Sequence, residues 1–278
     1  MSILESTIGK DKLDDILATI KSKTQIDIVV IHLEKGEAEF LSSKLGGYPY
    51  WPQNMEYPKD SYGHALVLLA QINLSDFECE KLPKSGLLQF FIAADDVFGY
   101  DDEKGYKVVY HESIDPCVTE ESVKKAGIRS NIDYEGKEDC FFPVSRCIRL
   151  SCKVQKECIN AALDGFDEYV KEILTNKYNY DLQGKEYWSF LTDEDVKYLH
   201  ANDSYDGLHC MFGYPVFAQY DPRKDDRYDT LLFQLDSDYN EEEDLVTIGD
   251  AGVMNFFINS NDLKNLNFED VLYNWDCA

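Results

Sequence analysis

The sequence predicts an α+β fold in which two duplicated, mainly antiparallel β units pack with pseudo-twofold symmetry, joined by an N-terminal helix and a helical connector. Three observations carry this. The first is an internal repeat. Gly47-Tyr48-Pro49 recurs as Gly213-Tyr214-Pro215, an offset of 213 − 47 = 166. Leu68-Leu69-Ala70-Gln71-Ile72-Asn73 recurs as Leu231-Leu232-Phe233-Gln234-Leu235-Asp236, an offset of 231 − 68 = 163. Gly86-Leu87-Leu88-Gln89-Phe90-Phe91-Ile92 recurs as Gly252-Val253-Met254-Asn255-Phe256-Phe257-Ile258, again offset by 252 − 86 = 166. A unit of this length does not bury its apolar face alone, so the copies are expected to pack on each other. The second observation is the supply of 19 Tyr and 15 Phe, side chains that suit the half-buried surface of a strand. The third is that helical periodicity is confined to two stretches, one before the first repeat and one between the repeats.

Taken in order, residues 10–22 read as an amphipathic helix. Leu13, Ile16, Leu17 and Ile20 fall at i, i+3, i+4 and i+7, with charges on the other face. Ile26 to Leu33 is rich in β-branched residues and reads as a strand, ended by Glu34-Lys35-Gly36. Gly46-Gly47-Tyr48-Pro49-Tyr50-Trp51-Pro52 then forbids regular structure and sets an aromatic loop. Ala65 to Leu74 and Leu87 to Ala93 read as buried strands around the turn Pro83-Lys84-Ser85-Gly86. Lys104-Gly105 closes a hairpin between the chain near Phe98 and a strand from Tyr106 to His111. Consecutive strands without a long intervening helix indicate antiparallel pairing.

From 153 to 204 the period changes. Val154, Cys158, Ala161, Ala162, Phe166, Tyr169, Val170, Ile173 and Leu174 fit a helical face that Gly165 interrupts. Thr192 followed by Asp193-Glu194-Asp195 suits a capped helix start. The expected organisation is a single domain over 1–278, with repeats at about 41–115 and 205–278 and a connector at about 153–204. No proline- or serine-rich linker separates the halves.

The charge narrows the partners. Against 27 Lys and Arg stand 53 Asp and Glu, a net −26. Such a surface repels phosphate backbones and anionic headgroups, which argues against nucleic acid and membrane surfaces and leaves basic proteins or metal cations. Solubility alone is the plainer account of the same charge. The start Met1-Ser2-Ile3-Leu4-Glu5 lacks a basic, apolar leader, and no apolar run approaches the ~18 residues of a membrane span. A cytoplasmic location with reduced thiols is therefore expected for the eight cysteines. Cys140, Cys147, Cys152 and Cys158 lack the close C-x-x-C pairing of zinc knuckles and read as inert thiols, so no cofactor is expected.

Catalytic patterns are missing from the sequence. It contains no G-x-S-x-G elbow, no H-E-x-x-H pair, no Walker loop, and no G-x-G-x-x-G after a strand. Gln71 and Gln234 are the residues that call for explanation, because each sits inside an apolar strand at matching places in the repeats. A buried amide must satisfy its donors and acceptor. Either each glutamine ties its own Gly-Tyr-Pro loop to the sheet, which explains why the two travel together, or both line a shared cleft for a small polar ligand. Tyr48, Tyr50 and Trp51, with Tyr214 and Phe217 on the second copy, line a groove or else seal the sheet core. Asp236, Asp238 and Asn240 open an acidic segment like a calcium loop, but Glu241 stands where such a loop needs Gly and Thr247 where it needs Glu. A solvated hairpin tip fits that segment better.

Taken together, Gly46-Gly47-Tyr48-Pro49, Leu69-Ala70-Gln71-Ile72-Asn73-Leu74, Leu82 to Phe91, Gly213-Tyr214-Pro215, Leu231 to Asp238, Gly249-Asp250-Ala251-Gly252 and Asn267 to Cys277 resemble the YwqG-like family of bacterial proteins. Phe212, where that family often doubles the glycine, and Ile248, where it often has Trp, depart from the pattern. The resemblance implies a sheet-rich α+β fold and brings no established activity or catalytic residue. The expected function is that of a non-catalytic intracellular binding protein whose acidic surface engages a basic protein, in a toxin-neutralising or immunity-type role. The alternative is a small-molecule binder or enzyme with a cleft between the repeats.

Overall fold

The longer helices of this chain lie before and between its main runs of strand, while two short ones, Glu120–Lys125 and Ser260–Lys264, are set among the strands. The structure, a computed structural model, describes residues 7–134, 140–201, 209–239 and 244–278. The chain divides into two compact units: residues 1–28 with 155–207, and residues 29–154 with 208–278. The division follows from packing, since the N-terminal helix and the connector helices bury one another's apolar faces.

In the helical unit, α1 (Lys10–Thr24) buries Leu13, Ile16 and Ile20, the stripe its period specifies. They pack with Phe166, Val170 and Leu174 of a second helix (Phe166–Asn176) and Leu199 of a third (Asp193–Leu199). Each such side chain contributes about 1.5–3 kcal/mol on burial. Thr192 caps the third helix by accepting from Asp195 N–H, and the Asp195 side chain bonds back, so the expected cap is present. The expected helical face beginning at Val154 is corrected, because Ile148–Glu157 is a strand. Gly165, at φ 89°, makes the left-handed entry to the helix that follows, so helical structure starts only at Phe166.

The second unit is a mixed α/β body dominated by antiparallel sheet. Its strands are β1 (Ile26–Glu34), β2 (Lys44–Leu45), β3 (Val67–Asn73), β4 (Leu87–Ile92), β5 (Tyr106–His111), β6 (Ile148–Glu157), β7 (Cys210–Met211), β8 (Thr230–Asp236), β9 (Asp238–Tyr239), β10 (Asp244–Val246), β11 (Val253–Ile258) and β12 (Val271–Asp276). Ten of them form one sheet in the order β12-β11-β8-β7-β1-β6-β2-β3-β4-β5, while β9 and β10 pair separately. The hairpin expected near Phe98 instead joins β4 to β5, since Gly105 accepts from Ala93 N–H at 2.8 Å.

Alternation sets the faces. In β4, Leu88, Phe90 and Ile92 join the main core, as Met254, Phe256 and Ile258 do in β11. Phe90 of β4 stacks on Phe233 of β8 with centroids 4.5 Å apart, and meets Phe256 at 5.1 Å. Strands so far apart in the sheet order can touch only if the sheet curls around this aromatic centre. The curl brings the edges β5 and β12 together, where Tyr106 Oη donates to Val271 O at 2.9 Å. The ladders carry a bulge between Leu68 and Ala70 in β3, and another at Phe256/Phe257 opposite β8.

Candidate functional site

On the outer face of the sheet, a polar network lies under each Gly-Tyr-Pro loop. Gly47 opens the first loop at φ 72°, and its N–H donates to Asn131 Oδ1 at 2.7 Å. A Cβ there would stand 2.7 Å from Cys147 Sγ, so glycine is required on both counts. Gln71, fully buried, accepts from Tyr50 N–H at 3.2 Å and donates to Phe40 O at 3.0 Å and Ser42 O at 3.1 Å. Gln89, directly across the ladder, donates to Gln71 Oε1 at 2.8 Å and to Tyr50 O at 3.0 Å. His111 Nε2 lies 2.9 Å from Gln89 Oε1, and burial lowers the His111 pKa to about 4, so the imidazole is neutral near pH 7.

Lys44 completes this anchor. It is 1% exposed, and its ammonium donates to Phe40 O at 2.9 Å and Tyr48 O at 2.7 Å. Burial lowers its pKa to about 8. In the second half, Gln234 accepts from Val216 N–H at 2.8 Å and from Asn255 Nδ2 at 3.0 Å, with Asn255 directly across the ladder.

Gln71 and Gln234 thus sit in separate hydrogen-bond networks, each beneath its own loop. Tyr48 donates to Asp133 Oδ2 at 2.9 Å and lies under the Lys124 ammonium. Trp51 is buried, edge-on to Tyr57, Phe91 and His111. Tyr214 is half-buried, and Phe217 packs beside Phe257. Of the calcium-loop residues, Asp236 accepts from its neighbour Ser237 N–H at 2.7 Å, and Asp238 lies 3.4 Å from His209 Nε2. Asn240 lies outside the described residues. Among the described residues no group of three or more His, Cys, Asp or Glu side chains could hold a metal ion.

The site that the sequence did not disclose is a groove of about 830 Å³ beside the sheet's closing seam. Its back wall is β5, from Tyr106 to Tyr110. One side is the segment from Trp51 to Leu66, and the other is Leu266 to Val271. The first side is held by Asp60, whose carboxylate accepts from Tyr62 N–H at 2.9 Å and His64 N–H at 2.7 Å. It is also held by Tyr57, whose hydroxyl donates to Leu66 O at 3.0 Å. On the other side Phe268 meets the Tyr110 ring at 6.1 Å, and Lys107 pairs with Glu269 at 2.5 Å. Glu56, Glu103, Lys59 and Lys104 stand exposed around the groove. An aromatic floor with a charged rim suits recognition. No sequence signal announces it, because it arises from the meeting of strands far apart in the chain, as the Tyr106–Val271 bond shows by its separation of 165.

Fold and site together define a mixed α/β protein with a curled antiparallel sheet and an open groove at its seam. The chain belongs to the family described as domain of unknown function DUF1963, which it matches over residues 43–277. No curated protein matches it. Among the described residues no helix is long and apolar enough to cross a membrane.

Proposed function

We propose that the protein is a non-catalytic, intracellular binding protein that engages a basic polypeptide, and that the seam groove is its binding site. The groove itself carries this reading. It is a concavity of about 830 Å³ lined by Trp51, Tyr57, Tyr110 and Phe268 with charged groups around them, a surface suited to recognition. The net charge of −26 supplies long-range attraction for a cationic partner. In a bacterial cell, as the YwqG-like resemblance implies, one form of this role is neutralisation of a basic toxin. That form rests on charge and analogy.

The proposal is tested by measuring retention of basic proteins on the immobilised chain at low and high salt. Retention that is lost as salt rises supports the reading, and an absence of basic partners at low salt refutes it. A second reading, a small-molecule site, is favoured by one observation: the groove is lined by Trp51–Tyr110 and Leu266–Val271, segments that the sequence repeat assigns to different copies. A duplication is part of the proposal. It is supported by the sheet order, in which β2, β3, β4 and β5 run outward on one side as β7, β8, β11 and β12 do on the other. It is supported too by the left-handed backbone at Gly46 (φ 62°) and Phe212 (φ 66°), an offset of 212 − 46 = 166.

A further inference from the structure

We infer that the chain carries a second binding site, at the Cys277 end of β12, for a neutral hydroxylated ring of the sugar class. The site is a cavity of about 250 Å³ whose lining includes Tyr100, Gln219, Tyr220, Asn274, Trp275 and Asp276. It shares no lining residue with the seam groove, so the inference stands whether or not that groove binds a polypeptide.

β12 holds both walls of the cavity. Trp275 turns inward, where it meets Phe98 edge-on at 5.0 Å, and its Nε1–H donates to Val97 O at 2.7 Å. That bond fixes the segment that carries Val97 and Tyr100. Asp276, on the opposite face by the strand period of two, accepts from Ala218 N–H at 3.1 Å and Gln219 N–H at 2.8 Å. Gln219 Nε2 donates to Cys277 O at 2.8 Å. Those bonds fix the segment that carries Gln219 and Tyr220. Tyr100 is 49% exposed and Tyr220 71%, so both rings offer apolar area to a ligand without leaving the core.

One buried group on this lining lacks a partner. Asn274 is 5% exposed, and its Nδ2 has no hydrogen bond. Directly across the ladder, the buried Asn255 has an unmet Oδ1. Unsatisfied buried amides are costly, and the sheet does not demand one here. At its other edge Gln89 of β4 faces Val109 of β5, as Asn255 of β11 faces Asn274 of β12. The asparagine pair presents a donor beside an acceptor, which is the complement of a hydroxyl. Charge rules out the other classes. None of the lining residues is cationic and Asp276 is anionic, so an anion is repelled. An ammonium brings no acceptor for Asn274 Nδ2. At about 250 Å³ the cavity falls below the ~300–1,000 Å³ typical of drug-sized ligands, which limits the occupant to a single ring. A sugar supplies hydroxyls at its rim and an apolar face for the tyrosines.

The test titrates the full chain, labelled with nitrogen-15, with D-glucose, D-galactose and N-acetylglucosamine in turn, and with choline and glucuronate as charged controls. At least one sugar should shift the Asn274 side-chain amide resonance saturably, and neither control should. Saturation-transfer signals from that sugar then compare two variants with the parent chain. Asn274→Val removes the unmet donor; it should weaken sugar binding about tenfold while leaving the urea midpoint unchanged or higher. Tyr220→Ala alters an exposed ring, so the fold persists, and it should also weaken binding about tenfold. If no sugar shifts the Asn274 amide, water serves the two asparagines and the inference is overturned. It is overturned equally if both variants bind the sugar as the parent does, or if choline or glucuronate shifts the resonance and the sugars do not.

Discussion

Replacing Gln71 by Leu removes a side chain that holds four partners at once. Its oxygen accepts from Tyr50 N–H at 3.2 Å and Gln89 Nε2 at 2.8 Å, and its nitrogen donates to Phe40 O and Ser42 O at 3.0 and 3.1 Å. Not all four are stranded by the change. Phe40 O still accepts from Lys44, and Gln89 Nε2 still reaches Tyr50 O. Tyr50 N–H and Ser42 O lose the bond shown for them. Tyr50 is 1% exposed, so its amide cannot recover a water, whereas Ser42 is half-buried and recovers part of the loss. At about 1–3 kcal/mol per stranded buried group, discounted for Ser42, Gln71→Leu should destabilise the fold by about 2–4 kcal/mol. Urea unfolding followed by tryptophan fluorescence reads this directly, because Trp51 packs against the loop's own anchor through His111 at 5.4 Å. The midpoint should fall with the slope unchanged. A loss below about 0.5 kcal/mol, within the usual range for surface substitutions, would refute the anchoring role.

Three further outcomes follow from the same geometry. Gln234→Leu should cost about 1–3 kcal/mol by the same assay, because Val216 N–H and Asn255 Nδ2 lose their shared acceptor. His111, held neutral with its pKa lowered to about 4, resists a proton that the unfolded chain accepts below about 6.5; its contribution is intact above that value and is lost as pH falls toward 4, by about 3 kcal/mol. His111→Phe should remove that acid-dependent loss, which the difference between urea titrations at pH 7 and pH 4.5 will show. Lys44, lowered to about 8 by burial, makes the unfolded chain the better proton binder between pH 8 and about 10.5, so wild type should gain about 3 kcal/mol relative to Lys44→Met as pH rises through that window. Equal pH dependence of the two proteins would refute the burial argument.

Much of the sheet was legible because its signal is local. The apolar runs at Leu68–Asn73 and Leu87–Ile92, and their counterparts at Leu231–Asp236 and Val253–Ile258, are strands that alternation and turn residues delimit on their own. The residues from Val154 misled because a half-buried strand with Val154 and Cys152 against the core carries apolar residues at spacings a helix also shows. Of the site, the glutamines were visible as polar residues in apolar strands, and so was the demand for partners. Their partners were not, since Phe40 O and Ser42 O are backbone groups brought close by a loop path no side chain encodes. The groove was invisible for a related reason: Tyr110 and Phe268 are ordinary aromatics until the curled sheet sets their rings 6.1 Å apart.

The most direct test of the binding account is photo-cross-linking from Leu266, an exposed side chain on the groove wall, replaced by a photoreactive phenylalanine analogue in the full chain and irradiated in its native cells' extract at low salt. The account predicts a cross-link to a basic polypeptide that is suppressed by raised salt. A cross-linked partner that is acidic, or one whose yield is unchanged by salt, would contradict it.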